Sequence, residues 1–520
     1  MARTYNASNP ESIDAVAALN SLQSNFSVVD AIRKSGKGMN KDAIPEMIEW
    51  CRRIGYEPSD FIQLNTIHIA GTKGKGSTSA FISSILSQYL KPAPDQPHAP
   101  FSKIGLYTSP HLRFVRERIQ INNQPLSEDV FAKYFFEVWD RLEESAKAKG
   151  EPTDKSAKPV YFRFLTLMAF HAYIKEGVDT AIIECGIGGE YDSTNILTKP
   201  SVTGITSLGI DHTAMLGDTI EEIAWHKGGI MKPNIPCYTA PQPPTAISVL
   251  EQRSTETSAP LKIISRYPSL QNISLGLAAD FQQTNASLAI AIAWRHLFLI
   301  DYDPRYQLPA PFVRGLEQVR WPGRCEIRRE EKIVWHIDGG HTLESIELTG
   351  SWFASQFPPP TSKRTSILLF NQQTRDANAL ARALHKTLAS ALKDEHPFTH
   401  VVFCTNTTFA KEGYRPDLVS MNTSKESVDA LEVQRGLAGT WREIDEVEGE
   451  GKGAGEGEGE SKGAKVEVKK SIEEAVGWCR DVARETGADD DVMVLVTGSL
   501  HLVGGVLEVL ESGAEGVEKT

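Results

Sequence analysis

Residues 69–78 read Ile-Ala-Gly-Thr-Lys-Gly-Lys-Gly-Ser-Thr, the segment of the chain best suited to hold an anion. Gly71, Gly74 and Gly76 free the backbone to turn tightly, so that successive N–H groups can face a phosphate at a helix N-terminus. Lys75 can bridge terminal phosphates, and Ser77 or Thr78 can add hydroxyl contacts to phosphate or metal. The spacing is shorter than the usual G-x-x-x-x-G-K-[ST], with Gly76 standing before Ser77. Thr66–Ala70 in front of it reads as a strand, and Phe81, Ile82, Ile85, Leu86 and Tyr89 behind it fall at helical core spacing. A glycine-rich turn can also be a tight strand–helix connection; the strand before it and Lys75 within it favour nucleotide binding.

Two further groups could complete a nucleotide–metal site. Glu184 ends the run Thr-Ala-Ile-Ile-Glu-Cys (180–185), at the carboxyl edge of a parallel sheet, where an acid can hold Mg2+ or stand solvated. Residues 208–233 place Asp211, His212 and Lys227 among glycines; spacing alone raises neither His212 nor Lys227 above a structural histidine and a surface lysine. Arg113, Arg116 and Arg118 form a local basic strip, suited to a polyanionic tail or to a solvated edge strand.

The elements that must position these groups are legible from patterning. Ile13, Val16, Leu19 and Leu22, then Ile44, Met47, Ile48 and Cys51, give a helical start. From Asn65 onward short β-rich runs alternate with longer amphipathic stretches, the mark of βαβ units and a parallel sheet. The breakers around 300–322 suggest a boundary, giving domains 1–305 and 306–520. Beyond it 332–338, 366–371, 400–406 and 491–498 again read as strands. The expected fold class is therefore α/β in both domains, mostly parallel in the first. Residues 446–465 are so rich in Gly and Glu that they read as a disordered insertion.

Composition narrows the functional classes. The 520 residues carry 55 Lys+Arg against 67 Asp+Glu, a net charge of -12, which argues against a surface that embraces nucleic acid. No run approaches the ~18 apolar residues of a membrane helix. The six Cys include no C-x-x-C pair, so neither a zinc site nor a disulfide framework is indicated. The first residues lack a secretory or transit character, so a cytoplasmic protein is expected, with a mitochondrial form if an upstream start exists.

Eight segments in order resemble one family: 71–77 (GTKGKGS), 107–122 (YTSPHLRFVRERIQIN), 161–173 (YFRFLTLMAFHAY), 184–196 (ECGIGGEYDSTNI), 207–233, 321–324 (WPGR), 338–345 (DGGHTLES) and 496–502 (VTGSLHL). Together they cover about residues 13 to 510 and resemble the folylpolyglutamate synthases, of the Mur-ligase-like group of ATP-dependent ligases. The run at 161–166 is similar to the eukaryotic monofunctional branch. The resemblance implies an N-terminal phosphate-loop ATPase domain, a C-terminal Rossmann-like domain and a monomer. ATP, two Mg2+ and a monovalent cation such as K+ are the cofactors it implies, with tetrahydrofolates and L-glutamate as substrates. Carried over by position, Gly71, Thr72, Gly74, Lys75, Gly76 and Ser77 match the ATP phosphate loop, and Asn285, Arg324 and Asp338 match further ATP contacts. Ser109, Glu184 and His212 match Mg2+ ligands, and Lys227 a lysine carbamylated in many members. His341 falls in the same motif as Asp338, near the phosphates or the incoming amine. The chain departs from the family's usual pattern at Gly340, at 278–282 and at 372–374, while keeping Gln282 and Asn285.

The expected reaction is transfer of the ATP γ-phosphoryl group to a folate γ-carboxylate, followed by attack of the glutamate amine on the acyl phosphate. Lys75, Mg2+ and Arg324 would carry the phosphoryl charge, and His212, Lys227 and His341 would serve the chemistry. Arg113, Arg116 and Arg118 would face the polyglutamyl tail. Three alternatives stand beside this: a bifunctional dihydrofolate/folylpolyglutamate synthase, a folate- or nucleotide-binding protein without turnover, and a phosphate-loop kinase or GTPase.

Overall fold

The computed structural model describes residues 10–23, 41–92, 99–357, 365–373, 375–410, 431–449, 463–487 and 491–514. The chain divides into two compact units, residues Met1–Gly276 with Phe281–Arg320, and Leu277–Asp280 with Trp321–Thr520.

The first unit is built on an eight-stranded sheet: β1 (Ile67–Ala70), β2 (Ile104–Tyr107), β3 (Ile119–Ile121), β4 (Gln124–Pro125), β5 (Thr180–Glu184), β6 (Val202–Ile205), β7 (Cys237–Thr239) and β8 (Leu261–Ile263). Their order is β4-β3-β2-β5-β1-β6-β7-β8. β3 is antiparallel to both β2 and β4, and every other pairing is parallel. Every residue of β1, β2, β5 and β6 is buried, which is why these strands read as unbroken β-rich runs rather than as alternation.

Helices cover the sheet. Lys75–Ser87 buries ten of its thirteen residues, Ser77 to Leu86. The helix Tyr161–Glu176 joins Val16, Leu19, Met47 and Cys51 of the N-terminal helices in one apolar cluster. The helix Ala310–Gln318 carries the unit past residue 305: a Cβ on Gly315 would lie 2.6 Å from Ile85 Cα, and Ser84 Oγ donates to the Gly315 carbonyl at 2.7 Å. The breakers at 303–309 are a turn leading into that helix, so the compact unit runs to Arg320.

The second unit holds a six-stranded sheet of β9 (Glu326–Glu330), β10 (Ile333–Ile337), β11 (Ser366–Phe370), β12 (His400–Cys404), β13 (Lys465–Lys469) and β14 (Val492–Thr497), in the order β13-β12-β11-β14-β10-β9. Only β9 is antiparallel, to β10. The architecture is α/β throughout, as expected. The Gly/Glu-rich stretch needs a correction at its edges. Residues 446–449 finish the helix Glu432–Gly449 and Lys465 opens β13; residues 450–462 lie outside those described. Ala464 N–H donates to Asp445 Oδ2 at 2.9 Å, which ties the end of the stretch down. No described helix is long and apolar enough to cross a membrane.

Candidate active site

The carboxyl ends of β5, β1 and β6 lie side by side, with Ile69 in register with Glu184 and Ala70 with Ile205. β1 and β6 leave the sheet in consecutive positions, while the chain after β1 first crosses to β2. This is the strand-end crevice where α/β sheets take ligands. The phosphate loop leaves β1, Glu184 closes β5, and residues 206–212 follow β6. The sheet therefore assembles groups more than a hundred residues apart.

Two glycines are dictated by this packing. Gly71 has φ +149° and a Cβ there would fall 1.8 Å from Thr206 Oγ1; Gly74 has φ +86° and its Cβ would fall 2.3 Å from Asn285 Oδ1. Both the backbone conformation and the space exclude a side chain. Gly74 precedes the helix Lys75–Ser87, whose N-terminal N–H groups carry Gly76, Ser77 and Thr78 at the loop exit. Asn285 in turn donates to Gln282 Oε1 at 2.8 Å, and Gln282 Nε2 to Ser77 Oγ at 3.3 Å. The sequence-predicted Asn285 is thus packed on the loop, and Gln282 is its unforeseen partner.

The charges converge on one backbone carbonyl. Gly71 O accepts from Lys75 Nζ at 3.0 Å and from Lys227 Nζ at 2.8 Å. Lys75 Nζ also lies 3.9 Å from Glu184 Oε1. Glu184 is only 3% exposed and its Oε2 accepts the Ser109 N–H at 3.4 Å, so Ser109, Glu184, Lys75 and Lys227 form one cluster. Burial pushes the Lys227 ammonium down to about 7, with the Lys75 charge adding to the shift. Thr72 Oγ1 donates to Gly209 O at 3.1 Å, which brings the loop of Asp211 and His212 alongside. His212 itself is exposed and holds φ 54°. Among the described residues no group of three or more His, Cys, Asp and Glu is placed to hold a metal.

The three arginines do not form a strip on an edge strand. They fall in and before a short 3-10 turn, Val115–Arg118. The Arg113 and Arg116 guanidiniums lie over the Phe114 ring at 5.3 and 5.0 Å, and Arg113 Nε lies 3.7 Å from Glu117. Arg116 donates to the Leu126 carbonyl at 3.2 Å. Arg118 Nε donates to His111 Nδ1 at 2.9 Å and sits over Tyr161. Arg118 therefore shares its surroundings with the loop of Ser109, while Arg113 and Arg116 bracket Phe114.

In the second unit, Asp338 follows β10 and is 7% exposed. Its Oδ2 accepts the Cys325 N–H at 2.9 Å; its Oδ1 accepts the Gly340 N–H at 2.9 Å and the Thr349 hydroxyl at 2.8 Å. Gly339 N–H donates to Gly323 O at 2.9 Å, so the turn bearing Arg324 and the turn bearing His341 are stitched together. A Cβ on Gly339 would lie 2.6 Å from Arg324 Nη1. His341 Nδ1 lies 2.8 Å from Gly339 O; a carbonyl only accepts, so Nδ1 carries the proton and Nε2 is the ring's basic nitrogen.

No family model matches the chain. Folylpolyglutamate synthase of Saccharomyces cerevisiae, in strains YJM789 and FostersO alike, is 47% identical over 508 residues, covering 96% of this chain and 86% of the relative. Among solved structures, folylpolyglutamate synthase of Mycobacterium tuberculosis complexed with ADP aligns with a TM-score of 0.65 at 21% identity, over 95% of this chain and 98% of that one. The apo form of the L. casei enzyme aligns at 0.63 and 21% identity over 94% and 100%. A folylpolyglutamate synthase complex with AMPPCP and folate aligns at a TM-score of 0.61 and 22% identity, over 94% of this chain and 100% of that one. The distant structures share the fold, and the yeast sequences are 47% identical over 96% of this chain; the chain belongs to the folylpolyglutamate synthase family.

Proposed function

We propose that this chain joins L-glutamate to the γ-carboxylate of a reduced folate, at the expense of ATP and through an acyl phosphate. The observation that carries the reading is the meeting of Lys75 and Lys227 at the Gly71 carbonyl, with Glu184 3.9 Å from Lys75, at the mouth of a phosphate loop. A carboxylate gives an amide at neutral pH only if hydroxide is replaced by a better leaving group. Phosphorylation by ATP supplies one: an oxygen of the folate γ-carboxylate forms a bond to the γ-phosphorus as the bond to ADP breaks, giving the acyl phosphate. The neutral glutamate amine then attacks the acyl carbon, phosphate departs, and the nitrogen loses one proton, leaving the amide N–H.

In this reading the backbone N–H groups from Gly74 to Ser77 cradle the phosphates, and Lys75 moves from Gly71 O onto the transferred phosphoryl group. The gain is electrostatic and arises where charge accumulates in the transition state. Gly71, Thr72 and Asn285 shape the loop, and Arg324 and Asp338 are proposed as further ATP contacts. His341, with Nε2 basic, is suited to accept a proton from the attacking amine.

The residues present suit Mg2+. It is ordinarily held by one or two carboxylates together with phosphate oxygens and water, so a lone buried Glu184 beside Ser109 is an adequate protein share. Ser109, Glu184 and His212 would hold it, joined by Lys227 once carbamylated. Bound there, Mg2+ would neutralise charge on the phosphate oxygens. An amine lowered to about 7 has a substantial uncharged fraction in neutral solution, the form that adds to CO2 with loss of one proton to give the carbamate. A monovalent cation such as K+ completes the proposed set. Arg118, and Arg113 and Arg116 around Phe114, are proposed to meet the glutamyl tail. All six cysteines are unpaired, which fits a reducing compartment, and the cytoplasm is the proposed one, with a mitochondrial form open to fractionation.

The test is ADP release from the purified chain with Mg-ATP, tetrahydrofolate and L-glutamate, each omitted in turn, with products read by mass. ADP formation that needs all three, with glutamyl-extended folate, is the expected result. Extension when dihydropteroate is the acceptor would favour the bifunctional alternative. Nucleotide binding with no extended product would leave only a binding protein.

A further inference from the structure

Lys73 lies two residues before the phosphate lysine and takes no part in the chemistry above. It turns to another loop, with Nζ 3.2 Å from Asp211 Oδ2 and the two side chains only 23% and 12% exposed. A partly desolvated pair of this kind is screened less than an open surface pair. The other Asp211 oxygen, Oδ1, accepts the N–H of His212 at 2.9 Å. His212 is in the left-handed region, a conformation that a non-glycine residue keeps only when its surroundings hold it there. Three more contacts run along the same seam. The N–H groups of Thr72 and Lys73 both donate to Ser207 O at 3.0 Å, and Thr72 Oγ1 donates to Gly209 O at 3.1 Å. The loop 207–212 therefore hangs on the phosphate loop from end to end, and the ion pair closes the end that bears His212.

We propose that Lys73 and Asp211 are positioning residues, whose ion pair couples the phosphate loop to the His212 loop so that nucleotide and divalent cation strengthen each other's binding. The proposal rests on the Mg-ATP reading above. It differs from a role for Lys73 as a second phosphate ligand, because a direct ligand would strengthen nucleotide binding whether or not the cation is present. Coupling of this sort is reciprocal, so it can be read from either ligand.

The experiment is calorimetric titration of ADP into the full chain, once with Mg2+ and once with EDTA. Mg2+ is expected to tighten ADP binding in the wild type. Lys73→Met and Asp211→Asn should each reduce that enhancement about tenfold, while ADP affinity in EDTA stays within about twofold, as expected when a coupling term is removed. The double variant should be no worse than either single, Lys73→Arg should restore most of the enhancement, and the ligand-free melting temperature should not move. Full enhancement in both singles, losses that add in the double, or equal weakening with and without Mg2+ would each overturn the proposal. Should a single variant fail to fold, the exchanged pair Lys73→Asp with Asp211→Lys decides, enhancement restored supporting it and enhancement absent refuting it. Mg-dependent ADP binding in a wild type with no glutamate-dependent turnover would refute the ligase reading alone.

Discussion

The two units carry their key charges in opposite ways. In the first, the amines of Lys75 and Lys227 rest on a single neutral acceptor, Gly71 O, at 3.0 and 2.8 Å. In the second, the Asp338 carboxylate is held at both oxygens by the Cys325 and Gly340 N–H groups and the Thr349 hydroxyl. A neutral carbonyl shared between two amines is a weak resting place, which an arriving phosphate can replace for Lys75. A carboxylate bonded by the protein at both oxygens is a fixed strut. The first unit is thus arranged to exchange partners during the reaction, and the second to hold Arg324 and His341 still.

The largest effect that would test this contrast is at Lys75. Lys75→Met should leave the fold intact, because Gly71 O keeps its bond from Lys227 and the Lys75 side chain is partly exposed. Turnover should fall by roughly 10²–10³ or more, as when a preorganised donor is removed from a developing anion. Steady-state ADP release together with the melting temperature checks this. An inactive variant that has also lost stability would show Lys75 to be a structural contact, with no phosphate to wait for.

Asp338 should fail differently. Asp338→Ala strands two buried N–H groups, at about 1–3 kcal/mol for each unsatisfied group, while the Thr349 hydroxyl keeps the Ser345 carbonyl at 2.8 Å. Loss of stability of a few kcal/mol should therefore accompany loss of activity, the reverse of the Lys75 pattern. Thr349→Val removes one donor and leaves the rest of the carboxylate paired, so its cost should be close to 1 kcal/mol. Chemical denaturation of the three proteins gives the ranking. An Asp338→Ala chain as stable as the wild type would break the contrast between strut and exchangeable charge.

How far these sites could be read beforehand depends on the range of the interactions. The strand β1, the loop after it and Glu184 were legible because each is a local pattern, an apolar run followed by glycines or closed by an acid. The β-rich runs at 332–338, 366–371, 400–406 and 491–498 hold β10, β11, β12 and β14 for the same reason. Lys73 was not legible as distinct from Lys75: its role depends on Asp211, 138 residues away, and no spacing rule reports that pairing. The same holds for Gln282 against Ser77, 205 residues apart. Arg113, Arg116 and Arg118 looked like one strip because adjacent charges look alike in sequence. In the fold Phe114 and Tyr161 sort them into separate surroundings. The helix Ala310–Gln318 follows a dense set of breakers, yet Gly315 lets it pack on the first unit's phosphate-loop helix. Composition reports the breakers and not that contact.

The last effect concerns Lys227, and its sign discriminates. Burial brings its folded value down to about 7, against an ordinary lysine value of about 10.4. Between these two pH values the unfolded chain binds one more proton than the folded chain, so stability from this group rises with pH. The slope is at most about 1.4 kcal/mol per pH unit. Below pH 7 both states are protonated and the full cost of burying an ammonium remains. Lys227→Met removes that cost and leaves Gly71 O bonded to Lys75. In metal-free, CO2-free buffer the variant should therefore be more stable than the wild type at pH 7, although it has lost ligase activity. Its advantage should shrink as the pH rises toward 10. Melting temperatures of the two proteins at pH 7, 8 and 9 supply the comparison. A variant that is less stable at pH 7, or an advantage that grows with pH, would mean that the Lys227 amine is held in the folded chain as a paired cation. The lysine would then not be available in the uncharged form that carbamylation needs, and Glu184 would be the one buried anionic ligand left to the metal in the first unit.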